Sequence, residues 1–181
     1  MVSPEFSVFH YPGSTEYRVE NWRLARDGSG RVIMGVSGWT WQYSLLPLIL
    51  SLLWPRVRNN FFALSGLLLL FLSLIYVKCT QVLSESVIVI PPHGIQLETR
   101  RGLPWFSPLT IKRRFIPLTS LKDLVIHEGL SRWNVRYYLA AIRVSRSGDF
   151  HLDVAYENIL PHSPILLEVY RGVHAILPLN R

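Results

Sequence analysis

Cysteine is nearly missing from this chain: Cys79 is the one thiol among 181 residues. An intrachain disulfide is therefore impossible, and a thiolate metal site would need ligands from elsewhere. That fits a reducing compartment. Charge is scarce as well, at 17% of residues against 49% apolar. This is low for a surface that meets only water and points to a stretch that meets lipid. Acidic side chains are the rarer sign, 12 against 19 basic, for a net charge of +7. The excess is local. Residues 1–31 are neutral, whereas from Lys78 onward 13 Lys and Arg stand against 8 Asp and Glu. Basic charge beside a bilayer reads as facing anionic headgroups or an acidic partner. No nucleic-acid motif accompanies it, so nucleic acid is not an expected partner.

Catalytic constellations are also lacking. His93, His127, His151, His162 and His174 are scattered, with neither HxH nor HExxH spacing to hold a metal. His127 and Glu128 are neighbours on an expected strand, so they point to opposite faces and make no dyad. There is no GxSxG elbow, Walker A loop or GxGxxG; Gly28-Ser29-Gly30 reads as a flexible turn. A sugar-nucleotide transferase needs doubly wound sheets with helix N-termini facing the diphosphate, which about a hundred β-rich residues cannot supply. Asp149 and Asp153 are read as solvated groups flanking a β-turn. No catalytic, cofactor-binding or metal-binding residue is expected.

Long uncharged runs are what the chain does have. Residues 32–55 carry no charge, and Tyr43 to Trp54 reads YSLLPLILSLLW. As a helix the run would measure about 36 Å, enough to cross a hydrocarbon layer of roughly 30 Å. Gly35, Gly38, Ser37, Thr40 and Gln42 weaken its first half and Pro47 kinks its second, so it reads as a bent or a re-entrant span. The second run, Phe61 to Val77, FFALSGLLLLFLSLIYV, is cleaner, with Arg56, Arg58, Asn59 and Asn60 before it and Lys78 after. A membrane hairpin over 32–78 is predicted, with helices at about 39–55 and 59–77. Trp39, Trp41, Tyr43, Trp54 and Tyr76 fall where interfacial aromatics belong. The runs lack the early position and small-residue cleavage site of a signal peptide and are expected to be retained. Cys79 is read as a plain small residue rather than a palmitoylation site. The basic residues after Val77 place the following domain in the cytosol, and a hairpin places segment 1–31 on the same side.

Beyond Lys78 the periodicity changes. Glu85–Ile90 and Ile95–Thr99 read as strands around a Pro91-Pro92-His93-Gly94 turn, and Arg100–Arg114, with Gly102, Pro104 and Pro108, as an irregular loop. Phe115–Leu118, Leu121–Glu128, Val135–Ser145 and Phe150–Tyr156 read as further strands. Ser163 is the expected cap of a helix opened by Pro164 and closed by Pro178, with Ile165, Leu166, Val169, Tyr170, Val173, Ile176 and Leu177 on one face. The expected fold is α+β: an N-terminal membrane helical hairpin, then over 79–181 a small antiparallel β domain closed by an amphipathic helix. Element order suggests a pleckstrin-homology-like barrel, with another β-sandwich carrying a docked helix as the alternative.

Two candidate contact regions follow. Arg100, Arg101, Lys112, Arg113 and Arg114, interleaved with Trp105 and Phe106, form a basic and aromatic cluster suited to phospholipid headgroups or to another subunit. The apolar face of the last helix is wider than one barrel end requires, which nominates Tyr170 and Ile176 as partner contacts. Four segments then resemble the PIG-H family: ESVIVIPPHGIQLET at Glu85–Thr99, FIPLTSLKDLVIHEG at Phe115–Gly129, YYL at Tyr137–Leu139, and ENILPHSPILLEVYRG at Glu157–Gly172. That family is the accessory subunit of the transferase that attaches N-acetylglucosamine to phosphatidylinositol in the first step of GPI-anchor synthesis. The resemblance implies a non-catalytic, multi-pass protein of the endoplasmic reticulum membrane with its main domain in the cytosol. It would anchor or stabilise the catalytic subunit PIG-A beside PIG-C, PIG-P, PIG-Q and PIG-Y. The alternative reading is a membrane-anchored, pleckstrin-homology-like lipid-binding module.

Overall fold

The computed structural model describes residues 5–24, 32–34, 51–52, 54–55, 58–103, 106–131, 134–145 and 147–177. Strands come first. β1 (Phe6–Tyr11, FSVFHY) and β2 (Ser14–Glu20, STEYRVE) pair antiparallel around a Pro12-Gly13 turn, with Phe6, Tyr17 and Val19 buried. The short strands β3 (Trp22–Leu24) and β4 (Val32–Met34) pair with each other. Helix α1 (Phe61–Cys79) follows, then β5 (Val82–Ile90), β6 (Gly94–Arg101), β7 (Thr110–Pro117), β8 (Leu121–Ser131), β9 (Asn134–Val144), β10 (Phe150–Ala155) and helix α2 (Ser163–Ile176).

The expected helical hairpin followed by a pleckstrin-homology-like domain is not the architecture. A five-stranded antiparallel sheet runs in the order β1-β2-β5-β6-β7 and a three-stranded one in the order β10-β9-β8. The first sheet takes two of its strands from before α1. The reason is pairing at long range: β2 lies along β5 with Tyr17 opposite Val87 and Val19 opposite Glu85. Of the first apolar run, Val32–Met34 form β4, short helical pieces occur at 51–52 and 54–55, and the remainder lies outside the described residues.

The core is built from both sheets and α2. Val19, Val87, Val89, Ile95 and Ile116 come from the larger sheet, and Leu124, Leu139 and Ala141 from the smaller. Leu166, Val169 and Val173 of α2 are fully buried beside them, where it packs on β9, β8 and β5. Each such side chain contributes roughly 1.5–3 kcal/mol. Pro164 lies in the first turn of α2 as expected, but the cap is His162, which makes no side-chain capping bond. Two other local readings change. β7 begins at Thr110, so only residues 102–109 connect β6 to β7. Lys112-Arg113-Arg114 are thus strand residues, tolerated there because acidic side chains face two of them. Asp153 is not a turn residue but a buried one on β10.

α1 stands apart from this core. None of its residues is buried, and Leu68, Leu69, Phe71 and Leu72 are each more than half exposed. Its serines and the residues flanking it bond to the helix backbone. Asn60 Oδ1 accepts from Phe62 N at 3.2 Å, the Ser65 and Ser73 hydroxyls donate to the Phe62 and Leu70 carbonyls, and Thr80 Oγ1 donates to the Tyr76 carbonyl at 2.9 Å. Among the described residues it is the one helix long and apolar enough to cross a membrane.

Candidate functional site

The chain leaves the large sheet and returns to it at one point. Asn21, directly after β2, donates its backbone N–H to Leu83 O and its side-chain Nδ2 to Val82 O, both at 2.8 Å. The end of β2 is thereby clasped to the start of β5, two residues beyond Thr80, the C-cap of α1. The β6–β7 connection lies at the same end. Gly102 N donates to Gln81 O at 2.9 Å, and Val82 pairs with Arg101, which pairs with Thr110. Gly102 is required by close approach: a Cβ there would lie 2.9 Å from Leu109 N.

The predicted basic cluster is divided by the pleat, because alternate residues of a strand face opposite sides. Arg100 and Arg113 lie on the outer face with Glu98 between them; Arg100 Nε donates to Glu98 Oε1 at 2.6 Å and Arg113 Nε to Glu98 Oε2 at 2.7 Å. Gln96 adds a longer bond at 3.5 Å. Alongside, Arg18 Nε and Nη2 donate to both oxygens of Glu16 at 2.9 Å, with the guanidinium 4.6 Å from the Phe9 ring centre, and Arg100 Nη2 approaches Glu16 at 3.7 Å. Glu16 and Glu98 are each only 3% exposed. Burial works against the Glu98 charge, but the hydrogen bonds from Arg113 and Arg100 outweigh it and hold the carboxyl below its ordinary range. Burial likewise opposes the Arg18 charge, and the bonds to Glu16 overcome it, leaving Arg18 above its ordinary value.

The other members face the opposite way. Arg114 pairs with the buried Asp153, which also lies 3.2 Å from Arg143 Nε, near enough for an ion pair though not aligned for a hydrogen bond. Arg101 Nη2 reaches Asn158 Oδ1 at 3.5 Å. Lys112 is exposed on β7, Phe106 is 70% exposed, and Trp105 lies outside the described residues. On α2, Tyr170 and Ile176 are half-buried at the margin of the core; the Tyr170 ring lies 4.1 Å from that of His174, whose Nε2 is 3.2 Å from Asp123 Oδ1. Among the described residues no group of three or more His, Cys, Asp and Glu gathers as a metal site.

Sequence reasoning missed what Glu85 does. On the core side of β5, its Oε2 accepts the backbone N–H groups of Asn158 and Ile159 at 3.0 Å, and its Oε1 accepts Asn158 Nδ2 at 2.7 Å and Thr99 Oγ1 at 3.2 Å. One carboxylate stitches the turn after β10 to the large sheet. Tyr156 and Leu160 bracket that turn with φ of 56° and 48°, and Tyr156 Oη donates to Tyr17 O at 2.8 Å. A lone glutamate in an apolar strand was the available signal, since such a group is buried only when fully paired. Also missed was the apolar surface of the β8–β9 ribbon, where Leu130 and Val135 are exposed and residues 134–138 pair with β8 alone.

A family model described as the PIG-H component of the GPI-GlcNAc transferase complex matches residues 86–157. Subunit gpi15 of the phosphatidylinositol N-acetylglucosaminyltransferase of Schizosaccharomyces pombe is 30% identical over 126 residues, covering 70% of this chain and 71% of the relative. The chain belongs to the PIG-H family. No solved structure is similar to it at a significant level. The PIG-H match runs from Ser86 within β5 to Glu157, and so contains Glu98, Arg100, Arg113 and Asp153 but neither Glu85, β1–β2 nor α2. The strands and helix that complete the PIG-H core are thus outside the matched segment.

Proposed function

We propose that this chain is a non-catalytic subunit of the complex that transfers N-acetylglucosamine from UDP-GlcNAc to phosphatidylinositol, holding the catalytic subunit PIG-A at the endoplasmic reticulum membrane. The observation that carries the anchoring role is the shared sheet. β2 and β5 are hydrogen-bonded neighbours, so residues 21 and 82 lie on the same side of any bilayer. A crossing by α1, about 28 Å long at 1.5 Å per residue, must then be matched by a return crossing or by a re-entrant segment. The chain thus returns to the side it left, with its sheets in the cytosol. An anchored scaffold of this kind raises the effective concentration of a soluble transferase at a lipid substrate without touching the chemistry. PIG-C, PIG-P, PIG-Q and PIG-Y are the proposed membrane neighbours.

The margin of α2 is the proposed face for PIG-A. Tyr170 and Ile176 touch the core yet keep part of their surface free. The chain isolated from its own membranes in mild detergent is expected to bring UDP-GlcNAc:phosphatidylinositol transfer activity with it. The same chain produced alone is expected to turn over no substrate, and measurable turnover by it would overturn the proposal. Tyr170→Ser and Ile176→Ser should leave a folded chain that has lost the co-purifying activity. Val169→Asp, which buries an unpaired charge, should unfold the domain instead.

A further inference from the structure

We infer that Phe106 and Leu109, on the β6–β7 connection, form a second membrane contact that enters the bilayer interface beside α1. The inference rests on α1 lying in the membrane. The Gly102 N to Gln81 O bond ties the loop to the chain two residues after α1 ends, a distance of about 7 Å along an extended backbone. Gly102, and Leu109 whose backbone N would lie 2.9 Å from a Cβ at Gly102, therefore stand beside the end of α1. The loop's side chains suit that place. Phe106 is 70% and Leu109 60% exposed, and neither belongs to the core. The exposed Lys112 follows them on β7, and Arg101, which reaches Asn158 Oδ1 at 3.5 Å, precedes them. An apolar pair beside basic groups matches a headgroup layer, in which rings and aliphatic chains lie at the acyl boundary and cations meet phosphate. The neighbouring arginines Arg100, Arg113 and Arg114 are already held by Glu98 and Asp153, so apolar insertion rather than an arginine cluster makes the contact.

The test uses the full chain in liposomes of phosphatidylcholine and phosphatidylserine, with Cys79→Ser and one environment-sensitive fluorophore at a time on Phe106→Cys, Leu109→Cys, Leu69→Cys or Thr119→Cys. Thr119 is exposed beyond the far end of β7. Labels at 69, 106 and 109 should be quenched by doxyl lipid, and aqueous iodide should quench 106 severalfold less than 119. If 69 is quenched by doxyl lipid while 106 and 109 answer to iodide, or to neither quencher, the loop contact is overturned and the anchor stands. If 69 escapes the lipid quencher, the anchor reading fails and the loop contact falls with it.

Discussion

Glu98 shows how a single carboxylate makes a basic strand possible. It is buried between Arg100 and Arg113, both of which hydrogen-bond to it. Its folded pKa lies below the ordinary value of about 4.3. The stabilisation it confers is therefore fully present above that value and is lost as pH falls through the lower folded one. Glu98→Gln should cost about 1–2 kcal/mol at neutral pH, discounted because Arg113 is well exposed. Denaturant titrations of the detergent-solubilised chain should show the gap between parent and variant closing as pH drops through and below the glutamate range. Parallel curves would exclude the carboxylate's charge as the cause. None of this was legible in the order TRRGLPWFSPLTIKRRF, because which arginine meets which acid depends on the register of β6 against β7. Composition revealed a basic excess; it could not reveal that Arg100, Arg113 and Arg114 are held in ion pairs and Arg101 reaches Asn158.

At the scale of elements, α2 was the most legible part of the fold. Its apolar spacing named Ile165, Leu166, Val169 and Val173, and all four are buried. A 3.6-residue period within one continuous segment needs no distant partner to be seen. What α2 rests on was hidden. Gly172 faces Tyr17 of β2, and a Cβ there would lie 2.1 Å from the phenolic oxygen and 2.6 Å from Cζ. Tyr17 is buried, which raises its pKa, with the Glu168 charge adding to the effect. In an isolated helix Gly→Ala gains about 1 kcal/mol. Here Gly172→Ala should lose about 1–3 kcal/mol through overpacking against the ring. A thermal melt of the variant at or above the parent's midpoint would show that the ring yields freely. β1 and β2 lie at the other extreme of legibility: a count of charges reads residues 1–31 only as a neutral segment, and the pairing of β2 with β5 is written nowhere in it.

For the whole molecule the consequence is that the hydrophobic excursion interrupts a sheet instead of preceding a complete domain. Residues from Val82 onward lack two strands of their own sheet. A chain beginning at residue 80 would lose Phe6, Tyr17 and Val19 from the core, leave the β5 edge unpaired, and remove the carbonyl that receives Tyr156 Oη. Such a chain is expected to aggregate or to show no cooperative unfolding, and adding residues 1–24 in trans should restore some of the transition. A sharp melt by the truncated chain alone would contradict the shared sheet. The sequence by itself determined the second apolar run, the amphipathic final helix, most of the strands from Glu85 onward and the family, because each is written in contiguous residues whose spacing or identity carries its own meaning. Only the tertiary structure decided that the N-terminal strands complete the sheet, that Glu85 and Glu98 are structural and that the basic cluster divides between two faces. Those outcomes depend on pairing across gaps of up to about seventy residues, where hydrogen-bond register, and not local preference, selects which side chains meet.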